Sequence, residues 1–186
     1  ENYLVHREEF QRIVSIKCPP LSLGQNGLES LAPVGTSLIL HLERYEAPKA
    51  KASLDLKRRM HFSGLFKEIK DHESENAYNE VEEILEDITT GDVALFKCEA
   101  FFLLSGKTKE DLDRKTNELL ESLKSLDGEG QIETRALPYL YKSLIPGVRP
   151  KFLRAFDVPS YYLKHMFPFH RDQLLSRGIS FKSTSG

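Results

Sequence analysis

The chain has 186 residues, 40% hydrophobic and 29% charged, with a formal net charge of -2. These values suit a globular fold with a buried core, and the near-neutral balance carries no whole-chain signal for nucleic acid or a membrane surface. No apolar run approaches the roughly 20 residues that span a bilayer.

The first strand is expected over Phe10 to Lys17, stopped by Pro19-Pro20. A short helix follows over Gln25 to Leu31. The second strand, Thr36 to Tyr45, sets Leu38, Leu40 and Leu42 on one face against Ser37, His41 and Glu43 on the other. A long helix starts at Ala47-Pro48, where proline suits the first turn, and carries Leu54, Phe62, Leu65, Phe66 and Ile69 at helical spacing. After Asp71-His72 a second helix carries Tyr78, Val81, Ile84, Leu85 and Ile88.

The third strand, Val93 to Leu104, is the strongest. Ala94, Phe96, Cys98, Ala100, Phe102 and Leu104 make one face wholly apolar, while Lys97 and Glu99 interrupt the other. Thr108 caps the next helix, with Asp111 at the reciprocal position and Leu112, Thr116, Leu119, Leu120 and Leu123 as its buried stripe. Gly128 ends that segment, and a fourth strand is expected over Gln131 to Leu137.

With the helical pair at about 47–90 set aside as an insertion, residues 1–137 read as an α+β domain with a ferredoxin-like split β-α-β sheet. Residues 138–186 read as an aromatic and basic helical extension that covers the remaining sheet face. Opening at Glu1-Asn2-Tyr3 without Met and closing on Ser183-Thr184-Ser185-Gly186, the chain is expected to be cut from a longer protein.

Charge is segregated. Nine acidic residues and no Lys or Arg lie between Asp71 and Asp92, whereas from Arg135 onward nine basic residues face only Asp157 and Asp172. Two contact surfaces are therefore expected: the acidic helix (Glu80, Glu82, Glu83, Glu86, Asp87) and an aromatic-basic part (Tyr161, Tyr162, Lys164, Met166, Phe167). Head-to-tail contacts between copies can exploit such polarity, although a solvated charged face and internal aromatic packing produce the same patterns.

Chemistry-bearing motifs are sparse. Ser105-Gly106-Lys107-Thr108 sits where a phosphate loop would, but the first glycine of that motif is replaced by Phe101 in mid-strand, so a turn and a helix cap account for it. Cys18 and Cys98 form no CxxC pair and are expected to be small buried thiols, as suits a reducing cytosol. His6, His41, His61, His72, His165 and His170 show no metal-ligand spacing. A stand-alone enzyme is thus the weaker reading, with no catalytic, cofactor or metal residue to name. A nucleic-acid module is the alternative; its expected signature on the third strand is missing, since Lys97 to Phe102 lacks the glycines, and Glu99 on the face of Phe101 would repel a phosphate backbone.

Four stretches together carry a resemblance: FQRIVSIKCPP (Phe10 to Pro20), TSLILHLERYEAPKAKA (Thr36 to Ala52), DVALFKCEAFFLLSGKTKEDL (Asp92 to Leu112) and SLIPGVRP…MFPFHRDQLLSRG (Ser143 to Gly178). In this order they resemble the N-terminal region of the large ATPase of conjugative type IV secretion systems, the VirB/TraC/TrbE type. Pro146, Gly147, Pro168, Phe169 and Gly178-Ile179 fall in the family's order. The resemblance implies a parent hexameric ATPase using ATP and Mg, at the cytoplasmic face of the bacterial inner membrane. It also implies that this part is non-catalytic, docking onto inner-membrane secretion proteins and other motor subunits, with no small-molecule ligand of its own. No Walker motif lies in these residues, so no family catalytic residue maps onto them.

Overall fold

The two most apolar segments become the two central strands of one antiparallel sheet. The computed structural model describes residues 2–20, 23, 27–65, 72–145 and 147–166. Its strands are β1 (Leu4–His6), β2 (Glu9–Cys18), β3 (Ser37–Arg44), β4 (Leu95–Gly106), β5 (Glu129–Ile132) and β6 (Phe156–Pro159). Its helices are α1 (Ala47–Leu65), α2 (His72–Thr90), α3 (Lys109–Lys124), α4 (Leu137–Ser143) and α5 (Ser160–Met166), with a 3₁₀ turn at Leu28–Leu31.

β2 and β4 lie side by side, Ser15 opposite Phe101 and Phe10 opposite Gly106. β3 flanks β4 on one side, while β5 and the short β1 flank β2 on the other, giving the order β5-β2-β4-β3 along the main strands. β6 extends the sheet beside β4, with Phe156 opposite Cys98. In β2 and β4 consecutive residues are buried (Ile13 to Ile16, Cys98 to Phe102), as expected for strands covered on both faces.

One face carries the main core. Val14, Ile16, Cys98, Ala100, Phe102 and Leu104 meet Leu112, Leu119 and Leu123 of α3, and Leu28 and Met166 close the layer. Ile13 and Phe101 point to the opposite face, against Leu137 and Leu140 of α4. The helical pair has a small core of its own, in which Ala50 and Leu54 of α1 meet Val81, Ile84 and Ile88 of α2 beside Leu95. Phe66 and Ile69 lie outside the described residues, as do Gln25 and Asn26 of the expected first helix.

Several expectations are corrected. The fourth strand runs over Glu129–Ile132, not to Leu137, because Pro138 and the buried pair Leu137 and Leu140 start α4. Gly130 belongs in the strand because a Cβ there would lie 2.8 Å from side-chain carbons of Leu120 and Leu123, so only glycine lets β5 pass beneath α3. Cys18 is exposed; at the end of β2 it lies beyond the layer that buries Cys98. β1 and β6 add strands that the sequence pattern did not reveal. Residues 138–166 are not a wholly helical extension, since β6 is hydrogen-bonded to β4.

Candidate docking surfaces and the polar cluster beneath them

The odd positions of β4 build a buried polar cluster under the chain that follows α4. Glu99 is 1% exposed, and a carboxylate so placed needs hydrogen bonds to both oxygens. His41 Nδ1 stands 3.1 Å from Oε2, and the Arg154 backbone N–H donates to Oε1 at 2.9 Å. Glu133, also 1% exposed, accepts from Arg154 Nε at 3.0 Å. That carboxylate, by hydrogen bond and then charge, raises the Arg154 pKa.

The His41 ring meets Phe101 edge-on at 5.4 Å and Phe152 at 6.3 Å, and Lys97 Nζ lies 4.9 Å over Phe152. Phe152 holds a φ of 53°, a left-handed conformation that is costly for a bulky residue and is sustained by this packing. Residues 152–154 are therefore strapped across the sheet. A Glu–His hydrogen bond is acid–base geometry in principle. Here both carboxylate oxygens are engaged, Oε2 by His41 and Oε1 by the Arg154 backbone N–H, and the second of these bonds anchors the strap.

The Ser105-Gly106-Lys107-Thr108 string borders a cleft of about 550 Å³, also lined by Glu9, Gly35, Asp111 and Lys115. β4 continues through Gly106, and the Thr108 hydroxyl accepts from Asp111 N–H at 3.2 Å as an N-cap. Lys115 donates to the Ser105 carbonyl at 2.7 Å and pairs with Asp111 at 3.2 Å. A Cβ at Gly106 would stand 2.9 Å from Leu112 N, so this glycine serves helix packing.

Of the expected acidic surface, Glu82, Glu83 and Glu86 are exposed on α2 and Asp87 is half-buried. Glu80 lies on the same helix. Arg58 of α1 stands 3.8 Å from Glu82, so basic α1 offsets part of that field. Of the expected aromatic-basic surface, one member is taken into the core. Met166 is fully buried in the core, because α5 folds back on the 3₁₀ turn. Tyr162 is half-buried and its hydroxyl donates to the Pro20 carbonyl. Tyr161 is exposed and, with Tyr162, Pro19 and Pro20, lines a cleft of about 190 Å³. Lys164 lies on α5, and Phe167 lies outside the described residues.

Two features escaped the sequence reading. Asp157 joins β6 to α1: its carboxylate takes Tyr45 Oη at 2.9 Å, Ser53 Oγ at 3.0 Å and Lys57 Nζ at 2.9 Å. Burial pushes its pKa up, but Lys57, Tyr45 and Ser53 outweigh burial and hold it below the usual carboxylate value. The Tyr45 hydroxyl is pushed up to about 12 by burial and by this carboxylate. The second feature is the exposure of Tyr139, Ile145, Val148 and Leu153 within the stretch 134–155, whose five cations and lack of acidic residues were already part of the basic C-terminal charge pattern.

No family model matches the chain, and no curated protein matches it.

Proposed function

We propose that this chain is a non-catalytic assembly and docking domain of a motor ATPase of the conjugative type IV secretion type. It contacts inner-membrane secretion components and neighbouring subunits at the cytoplasmic side of the bacterial inner membrane. The observation that carries the proposal is the ordered resemblance of four stretches, which fall on β2, on β3 with the start of α1, on β4 with the start of α3, and on Ser143 to Gly178, of which Pro146 and everything after Met166, including Pro168, Phe169 and Gly178-Ile179, lie outside the described residues. A ferredoxin-like sheet belongs to the same reading. It is supported by the order β5-β2-β4-β3, antiparallel throughout, with α3 crossing between β4 and β5. The α1–α2 pair is then an insertion in the β3–β4 connection.

In this reading nucleotide chemistry belongs to the parent protein, with ATP and Mg bound elsewhere. The α2 surface bearing Glu82, Glu83 and Glu86 is the protein-docking face. The test is the parent gene: a G-x-x-x-x-G-K-[ST] within the next hundred or so codons supports the proposal, and its absence ends it. A charge reversal at Glu83 and Glu86 should abolish co-purification with secretion-system membrane proteins. Hydrolysis of ATP by the chain alone would overturn the non-catalytic assignment.

A further inference from the structure

We infer that the strap and its preceding loop form a peripheral docking site for an anionic phospholipid surface. The inference goes beyond the motor reading, which assigns membrane contact to protein partners. Three observations converge. First, Ile145, Val148 and Leu153 are 56%, 43% and 42% exposed, aliphatic side chains held in water at close sequence spacing. Second, Lys142, Arg149 and Lys151 are exposed among them, and no Asp or Glu occurs from 134 to 155. Arg149 has one distant acidic neighbour, Glu43 at 3.9 Å, on an 88% exposed side chain. Third, the strap that ends the loop is held in place: Phe152 is tucked against His41 and Lys97, and Arg154 is fixed by the buried Glu133 and Glu99. Lys151 over the Tyr139 ring at 4.6 Å joins the loop to α4.

Aliphatic tips with cationic flanks, anchored at the strap, match the lipid interface, where the tips enter the acyl boundary and the cations meet phosphate headgroups. The mode is peripheral, since no helix among the described residues is long and apolar enough to cross a membrane. A nucleic-acid strand fits less well. Ile, Val and Leu give bases neither stacking nor hydrogen bonds, and one face of Tyr139 is already occupied by Lys151.

The test is flotation of the full chain with vesicles of phosphatidylcholine alone and of phosphatidylcholine mixed with phosphatidylglycerol. Binding to the anionic vesicles only, weakening with added salt, is expected. The triple variant Ile145→Ser, Val148→Ser, Leu153→Ser should bind at least about tenfold more weakly although its charge is unchanged. The pair Lys142→Glu and Lys151→Glu should lose about as much. Glu83→Lys on α2 should leave vesicle binding intact. If the triple variant melts early, Val148→Ser and Leu153→Ser singly carry the test, at about fivefold each. Equal binding to both vesicles, or undiminished binding by the serine variants, overturns the inference. So does binding of a single-stranded oligonucleotide that outcompetes vesicles and ignores the serine substitutions, which would mark a nucleic-acid surface instead.

Discussion

The two faces of the sheet are built on different principles. The face under α3 is apolar over most of its area, with Val14, Ile16, Cys98, Ala100, Phe102 and Leu104 meeting one long helix; its exception is the buried Arg12, which donates to Thr116 at 3.0 Å and pairs with Asp113 at 2.8 Å, both on α3. Its one thiol is driven to a pKa of about 12 by burial and by the adjacent Glu99 charge. The face under α4 and the strap mixes Ile13 and Phe101 with two buried carboxylates, and its cover is a seven-residue helix and a length of irregular chain. The first face secures the fold mainly through area removed from water, an effect without preferred direction. The second depends on directed hydrogen bonds, which hold one loop in one place.

The largest expected effect lies on the apolar face. Phe102→Ala should cost about 3–5 kcal/mol in chemical denaturation, because a fully buried ring in a close-packed layer leaves a cavity. A loss below about 1 kcal/mol would break the comparison at its first term. On the polar face, Arg154→Met should cost about 2–3 kcal/mol, since it strands the Glu133 carboxylate. The double variant Arg154→Met, Glu133→Leu should recover part of that loss, because no unpaired charge remains buried. A double variant no better than the sum of the singles would mean that the ion pair does not govern this face.

The sequence revealed these faces unequally. Period-two alternation made β4 and its apolar face plain, and Thr108 with Asp111 marked the start of α3. The same alternation misled at residues 133–136, where Thr134 and Ala136 imitate a strand but Pro138 and Leu140 belong to a helix. β1 was invisible because its hairpin turns through Arg7 and Glu8 at φ 48° and 67°, without the glycine or asparagine that signals such turns. The Glu99, His41, Glu133 and Arg154 cluster draws on four separated segments, and only tertiary pairing brings those side chains together. Aromatic content suggested contact residues around Tyr161, yet Met166 and Tyr162 are consumed by packing. The exposed aliphatics appeared instead on a loop that composition alone marked only by its charge.

A smaller effect sharpens the apolar side. Thr108→Ala should cost about 1 kcal/mol, or a melting shift of about 2–4 °C for a chain of this size, while Thr108→Ser keeps most of the cap. Added ATP should not change the melting point of either protein. Nucleotide-dependent stabilisation lost with Thr108 would turn the cap into a ligand site.

The smallest effect tests whether the polar side alone is tuned by pH. Asp157 lies just beyond the strap, and its folded pKa is held down because Lys57, Tyr45 and Ser53 together outweigh its burial. Its contribution to stability is therefore complete above the unfolded carboxylate value, about 3.9, and fades as pH falls through the lower folded value. Because Lys57 is 43% exposed, water screens the pair and the contribution should stay below about 1 kcal/mol. Asp157→Asn should thus melt slightly below the parent at neutral pH, and the two should converge on acidification. The Phe102→Ala difference, by contrast, should hold steady over the same range, since no proton is bound or released by removing a ring. If the Asp157→Asn gap stayed constant down to the acid limit, the carboxylate charge would have no part in anchoring β6 to α1. The two faces would then differ in composition only, not in their response to protons.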